Sequence, residues 1–344
     1  TTAALSALTT DQIVALTTAQ AASFKATRIS LLTTEQIAAL ETDDLAALTN
    51  AAIGGLTTAQ VAALSTDQIA ALRTSQLAAL STAALSSLST DQIVALTTAQ
   101  AASFGATRLA LLTTSQIAAM ETDDVAAISS SAIVGLTTAQ ASALSTDQAV
   151  ALTTAQVAAL KSTQIAALST DAVSALETAD LAAIVQAALG VLSTSQVTAL
   201  TTDQIAALKS TQLAALSTDA LTALTTDQIV ALTTAQAASL TASRIALLTT
   251  DQIAALETQD LAKVSSSAIA ALTTAQMANL TTDQIVALTT SQIAALTTNE
   301  LAAMTTDAIS AMTTAQLSSL SLTQVDAWST DQIAALSTDQ IAAL

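Results

Sequence analysis

A large apolar residue stands at every eighth position from Leu8 to Leu344, with nothing inserted or lost between them. The 344 residues therefore divide into 43 octads held in a single phase. A short period kept this far restricts the chain to repeat architectures, in which each unit is stabilised by its neighbours. It predicts a single solenoid over 1–344, where length alone would suggest two domains.

Numbered so that the apolar residue comes last, the octad reads Thr/Ser-Thr-x-Gln-Ile-Ala-Ala-Leu, as in Thr9 to Leu16 and Ser329 to Leu336. Thr at position one and Gln at position four form a capping box, in which a hydroxyl and an amide satisfy backbone N–H groups at a helix start. The Leu before it and the Ile after it fall at the two positions of a hydrophobic staple. Asp at position three (Asp11, Asp67, Asp91, Asp203) would lie in the first turn, where the helix dipole favours a carboxylate by about 0.3–1 kcal/mol. Positions two to seven thus predict a helix of less than two turns, and Leu-Thr the break between helices.

Two rivals fit the pattern less well. In a continuous helix an octad advances about 800°, roughly 80° beyond two turns, so the apolar stripe would spiral around the helix and form no straight seam. The Thr pairs suit a β-solenoid, but Gln-x-Ala-Ala is poor strand material. A six-residue helix is not stable alone. Stability has to come from stacking, with positions five and eight each burying a side chain for roughly 1.5–3 kcal/mol before entropy, and Ala at six and seven letting coils approach. The predicted fold is all-α, a tightly wound α-solenoid of short helices, one per octad.

Composition removes most chemistry. The chain has no His, Cys, Pro or Tyr, and its aromatic residues are Phe24, Phe104 and Trp328. A nucleophile would need a Ser–Lys arrangement, and the lysines are scattered. No enzyme activity, catalytic residue, cofactor or metal centre is expected. Eight basic against 26 acidic residues give a net charge of −18, which repels nucleic acid and anionic membrane surfaces. No run approaches the roughly 18 apolar residues of a membrane span. There is no charged-then-apolar leader, so a signal peptide has been removed or lies outside these residues. Trp328, at position eight, reads as core filler. Gln at position four either caps or forms side-chain amide ladders, with capping preferred. Regular Thr rows also suit an ice-binding face, but capping already employs them.

A five-octad module recurs at 17–56, 97–136 and 233–272, so the second copy starts ten octads after the first and the third seventeen octads after the second. The copies contain Phe24-Lys-Ala-Thr-Arg28, Phe104-Gly-Ala-Thr-Arg108 and Leu240-Thr-Ala-Ser-Arg244. In each, Ala replaces Ile at position five (Ala21, Ala101, Ala237) and Leu replaces Ala at position seven of the next octad (Leu31, Leu111, Leu247). Close packing suggests that each extra Leu fills the space its neighbouring Ala vacates.

The charges follow the module. Arg28 precedes Asp44, Arg108 precedes Asp124 and Arg244 precedes Asp260, always by two octads, an offset repeated by Lys25 with Glu41 and Lys161 with Glu177. Either these are solvated surface charges duplicated with the module, exposed pairs being worth about 0–1 kcal/mol, or they form inter-coil or inter-chain salt bridges that set register. The offset suggests two octads per turn, which the odd number of octads between the second and third modules does not fit. The triplets Glu41, Asp43, Asp44 and Glu121, Asp123, Asp124 offer oxygens for weak cation binding, but without a Gly-containing calcium loop they read better as solvated helix starts.

The octads at the two ends are no more polar than the rest, which suggests an excerpt of a longer chain or ends that stack into a polymer. The motif Leu-Thr-Thr-x-Gln-Ile/Val-x-Ala-Leu, at Leu8 to Leu16, Leu56 to Leu64 and Leu280 to Leu288, resembles that of long octapeptide-repeat proteins of bacterial surfaces. The resemblance spans essentially the whole chain. It implies a secreted protein of the cell surface with a filament, sheath or adhesin role, self-association and biofilm participation. It carries over no functional residues. The competing expectation is a binding solenoid that presents an acidic Thr/Gln/Asp face to a protein, glycan or cation.

Overall fold

The computed structural model describes residues 5–344. The four residues that open the N-terminal octad lie outside the described residues, and with them part of the expectation about that end. Forty-two helices of four to six residues follow one another, one per octad, and no strand occurs among the described residues.

Most helices start as the octad predicts, while those that follow Lys25, Glu41, Gly105 and Glu121, among others, have no side-chain cap. In the octad of Ser65, the cap residue is extended (φ −70°, ψ 163°), its hydroxyl accepts from the Gln68 N–H, and the Gln68 side chain accepts from the Ser65 N–H in return. The helix Thr66–Ala71 ends at Leu72, which is extended again (φ −63°, ψ 134°). Two consecutive extended residues thus turn the chain between helices. Among the described residues no φ is positive and no peptide is cis, so the turn needs neither Gly nor Pro. That accounts for a chain of 344 residues with five Gly and no Pro.

Positions five and eight form the core. Ile69, Leu72, Ile93 and Leu96 are at most 6% exposed, and the corresponding residues recur buried in most octads, with Ile341 and Leu344 exposed in the last. The contacts divide the chain into two compact units, Thr1–Ile184 and Val185–Leu344. Within each, helices three octads apart pack together, for example Thr98–Ala102 against Thr122–Ala127 in the first and Thr274–Ala278 against Thr298–Ala303 in the second. Side-chain to backbone hydrogen bonds between turns join residues 25 apart (Ser86 to Leu111) up to 31 apart (Gln60 to Ile29). A turn therefore takes between three and four octads, and each octad is staggered against two octads of the turn before. The charge offset and the module spacing left this number open, and the bonds between turns set it.

The expected exchange of volume between Ala and Leu does not occur. Leu31 and Leu247 are 38% and 41% exposed, and Leu111 is half-buried. Ala21 and Ala101 are fully buried, and the large residue beside each is Phe24 or Phe104, 8% and 3% exposed, at position eight of the same octad. Position seven follows the core-facing stripe by two residues of helix and points out of the core, so Leu there cannot fill it. In the third copy position eight is Leu240, and Ala237 is nonetheless fully buried. Trp328 is buried as expected, although its indole N–H has no hydrogen-bond partner.

Candidate functional site: the position-four clasp

The most constrained side chain is the Gln at position four. It is polar yet buried: Gln60, Gln76, Gln156 and Gln292 are 3%, 0%, 1% and 1% exposed. Burying a primary amide is costly unless both of its ends are hydrogen-bonded. In Gln60 they are. Oε1 accepts from the Thr57 N–H of its own octad at 2.9 Å, and Nε2 donates to the Leu32 and Ile29 carbonyls at 2.7 and 2.9 Å.

The same bonds recur in both units, for instance from Gln92 to Leu64 and Val61 and from Gln292 to Val264 and Leu261. Cap and ladder, weighed as alternatives from sequence, are thus two ends of one amide, and the ladder runs to backbone carbonyls. It completes the helix ends. The position-eight carbonyl falls outside the intrahelical ladder, and a glutamine four octads later donates to it.

One sequence signal pointed here. A capping box accepts Glu as readily as Gln, and the helix dipole favours Glu. Yet 26 octads carry Gln at position four and one carries Glu. Capping cannot produce that bias, whereas a need for a donor at the far end does.

The predicted charge pairs fall largely on this same position. Arg28, Arg108 and Arg244, and Asp44, Asp124 and Asp260, each stand where Gln stands elsewhere. Arg108 takes over the glutamine's donor role, with Nη1 3.2 Å from the Leu80 carbonyl and Nη2 2.9 Å from that of Leu77. Arg244 does likewise toward Leu216 and Leu213 at 3.1 and 3.2 Å. Burial lowers both guanidinium pKa values, and their Nε–H groups have no partner. Arg28 is exposed.

The aspartates are buried acceptors. Asp260 and Asp180 each accept from a Thr hydroxyl of the preceding turn, Thr234 and Thr154, at 2.6 Å. Thr98 stands in the corresponding place beside Asp124, where its hydroxyl acts to lower the carboxyl pKa. Burial, reinforced by the like charges of Glu121 and Asp123, raises the Asp124 pKa, and one oxygen each of Asp44 and Asp124 has no partner. The described hydrogen bonds of Arg108 and Arg244 thus run to carbonyls, and that of Asp260 to a threonine. An offset of two octads is well short of the 25 to 31 residues that join successive turns. Lys25, Glu41, Lys161 and Glu177 are all exposed cap residues at position one.

The acidic triplets are divided by the fold. Glu41 and Asp43 are not buried while Asp44 is, and Glu121, Asp123 and Asp124 repeat that division. No group of three or more side chains able to hold a metal occurs among the described residues. No helix among them is long and apolar enough to cross a membrane.

Short capped helices, one buried apolar stripe and a polar clasp repeated through both units define an α-helical repeat protein of the solenoid kind. The chain belongs to the ALTTAQ repeat family, which matches residues 37–74, 69–106, 117–154, 173–210, 205–242, 253–290, 287–322 and 314–344. Arg28, Arg108 and Arg244, in octads that lack the Thr-Thr-x-Gln start, fall outside the matched segments. No curated protein matches the chain.

Proposed function

We propose that this chain is a non-enzymatic structural protein of the cell surface, self-associating into an extracellular filament, sheath or adhesin stalk. The supporting observation is the clasp: bonds such as Gln60 to Leu32 and Gln292 to Val264 tie one turn to the next at most octads, so resistance to extension is distributed along the chain instead of residing in one interface. Each bond contributes a modest net stabilisation of about 0.5–1.5 kcal/mol, but many act in series. The departures from consensus are dispersed in three modules, which suits a fibre better than a binding solenoid, where atypical surface residues would cluster. The exposed charges Lys25, Glu41, Lys161 and Glu177 are available for contacts between chains. Electron microscopy of the whole chain at high concentration tests the reading. Filaments that shorten or disperse as salt is raised are expected, and discrete monomers at all concentrations would refute the polymer.

A further inference from the structure

Glu300 is the one glutamate at position four. It is 5% exposed, and its Oε2 accepts from the Thr297 N–H at 2.7 Å, the place that Oε1 takes in every glutamine clasp described above. Glu and Gln are isosteric, so Oε1 of Glu300 takes the place of the amide nitrogen. The carbonyls that a glutamine would bond from here are those of Leu272 and Ile269, placed relative to Glu300 as Val264 and Leu261 are to Gln292. The Ile269 carbonyl already accepts from the Leu272 N–H at 3.1 Å. An ionised carboxylate would set oxygen against oxygen, with no donor between them.

We propose that Glu300 is held as a neutral carboxylic acid in the folded chain, its Oε1–H donating to the Leu272 carbonyl as a glutamine amide does, and that this octad is thereby a pH-sensitive clasp. As the pH rises the proton leaves to solvent, and the clasp between these two turns opens while the cap at Thr297 persists.

The surroundings favour the neutral form. No Lys or Arg follows Lys263 in the sequence. On the preceding turn, Ser266–Ile269 and Thr274–Ala278 carry no charged residue. On the following turn, Leu322–Val325 carries none and is followed by Asp326, and Thr330–Ala334 contributes Asp331, both exposed. The helix Thr298–Ala303 holds no other charge. Burial raises the Glu300 pKa, against the opposing effect of the Thr297 hydrogen bonds. A group raised in this way contributes its stabilisation fully below the unfolded-state pKa and loses it as pH climbs through the folded-state value.

The test is amide hydrogen exchange across octads 265–272 and 297–304 in the whole chain, comparing the native protein with Glu300→Gln and Glu300→Ala at about pH 4 and pH 8, either side of the carboxylate range. Native and E300Q proteins are expected to be equally protected at the acid pH. At the alkaline pH the native protein should exchange faster than E300Q, on the order of tenfold. E300A should be less protected than the native protein in acid. Native and E300Q proteins that match at both pH values, or an E300A protein that matches the native one in acid, would overturn the proposal. So would loss of the alkaline difference on adding sodium or calcium chloride, since a cation would then occupy the clasp in place of the proton.

Discussion

The side-chain amide of Gln60 lies 2.7 Å from the carbonyl oxygen of Leu32, a residue 28 positions earlier. Its other end, 2.9 Å from the Thr57 N–H, starts its own helix. One side chain therefore satisfies a helix N-terminus and the C-terminal carbonyl of a helix one turn before. This couples formation of a helix, which is too short to survive alone, to its docking on the preceding coil.

Removing that amide leaves the Thr57 N–H and two buried carbonyls with fewer partners. Gln60→Ala is expected to cost about 1–3 kcal/mol, against about 0.3–1 kcal/mol for the exposed first-turn change Asp67→Ala. Thermal unfolding would rank the two, and hydrogen exchange should place the loss of protection in octads 25–32 and 57–64. Equal destabilisation would mean that the clasp adds nothing beyond capping.

Phe24, 8% exposed, carries the packing beside Ala21, and Leu31, 38% exposed, does not. Phe24→Ala is expected to cost about 3–5 kcal/mol, the range for emptying a buried aromatic site. Leu31→Ala should stay within about 0.5 kcal/mol, as surface changes do. Denaturant melts of the two variants provide the comparison, and the opposite ranking would restore the idea that Leu31 fills the core.

Gly135 marks a close approach of two coils. A Cβ added there would come within 2.2 Å of the Ala106 carbonyl oxygen and 2.6 Å of the Ala106 Cα, so backbone has to move. Gly135→Ala is expected to destabilise by about 1–3 kcal/mol through overpacking. Gly105→Ala, where a Cβ meets nothing within 4 Å, should be neutral or slightly stabilising. Differential scanning calorimetry of both proteins, melted side by side, checks the sign of each change.

Asp124 is buried, and its pKa is raised by burial and by Glu121 and Asp123. A raised carboxyl favours the folded chain while protonated and loses that contribution as pH rises through the folded-state value. Asp124→Asn keeps an acceptor oxygen and cannot ionise. It should melt a few degrees above the native protein at neutral pH, with the gap closing in acid. A gap that is constant with pH would indicate that ionisation of Asp124 is not what limits stability there.

What was legible in the sequence is what lies within one octad. The cap from Thr or Ser to Gln and the acidic first turn act over three or four residues, and both are found where the spacing places them. The burial of positions five and eight was equally readable, because a period of eight leaves one apolar stripe per unit. The role of Arg108 was not readable. As one of two charges separated by two octads it suggested an ion pair, whereas its guanidinium reaches the carbonyls of Leu80 and Leu77 on the preceding turn.

Sequence by itself therefore determined that a helix restarts every eight residues, that it is capped by its own side chains, and that its Ile and Leu must be covered. Tertiary structure alone decided what covers them. The number of octads in a turn depends on how coils nest, which follows from backbone approach at residues such as Ala106 and Gly135 and from the reach of a buried amide. Those distances join residues 25 to 31 apart, far beyond the range over which local periodicity carries information. For the same reason, the choice of Gln over Glu at position four looks arbitrary along the chain and becomes necessary only where the preceding coil's carbonyls lie within hydrogen-bonding distance.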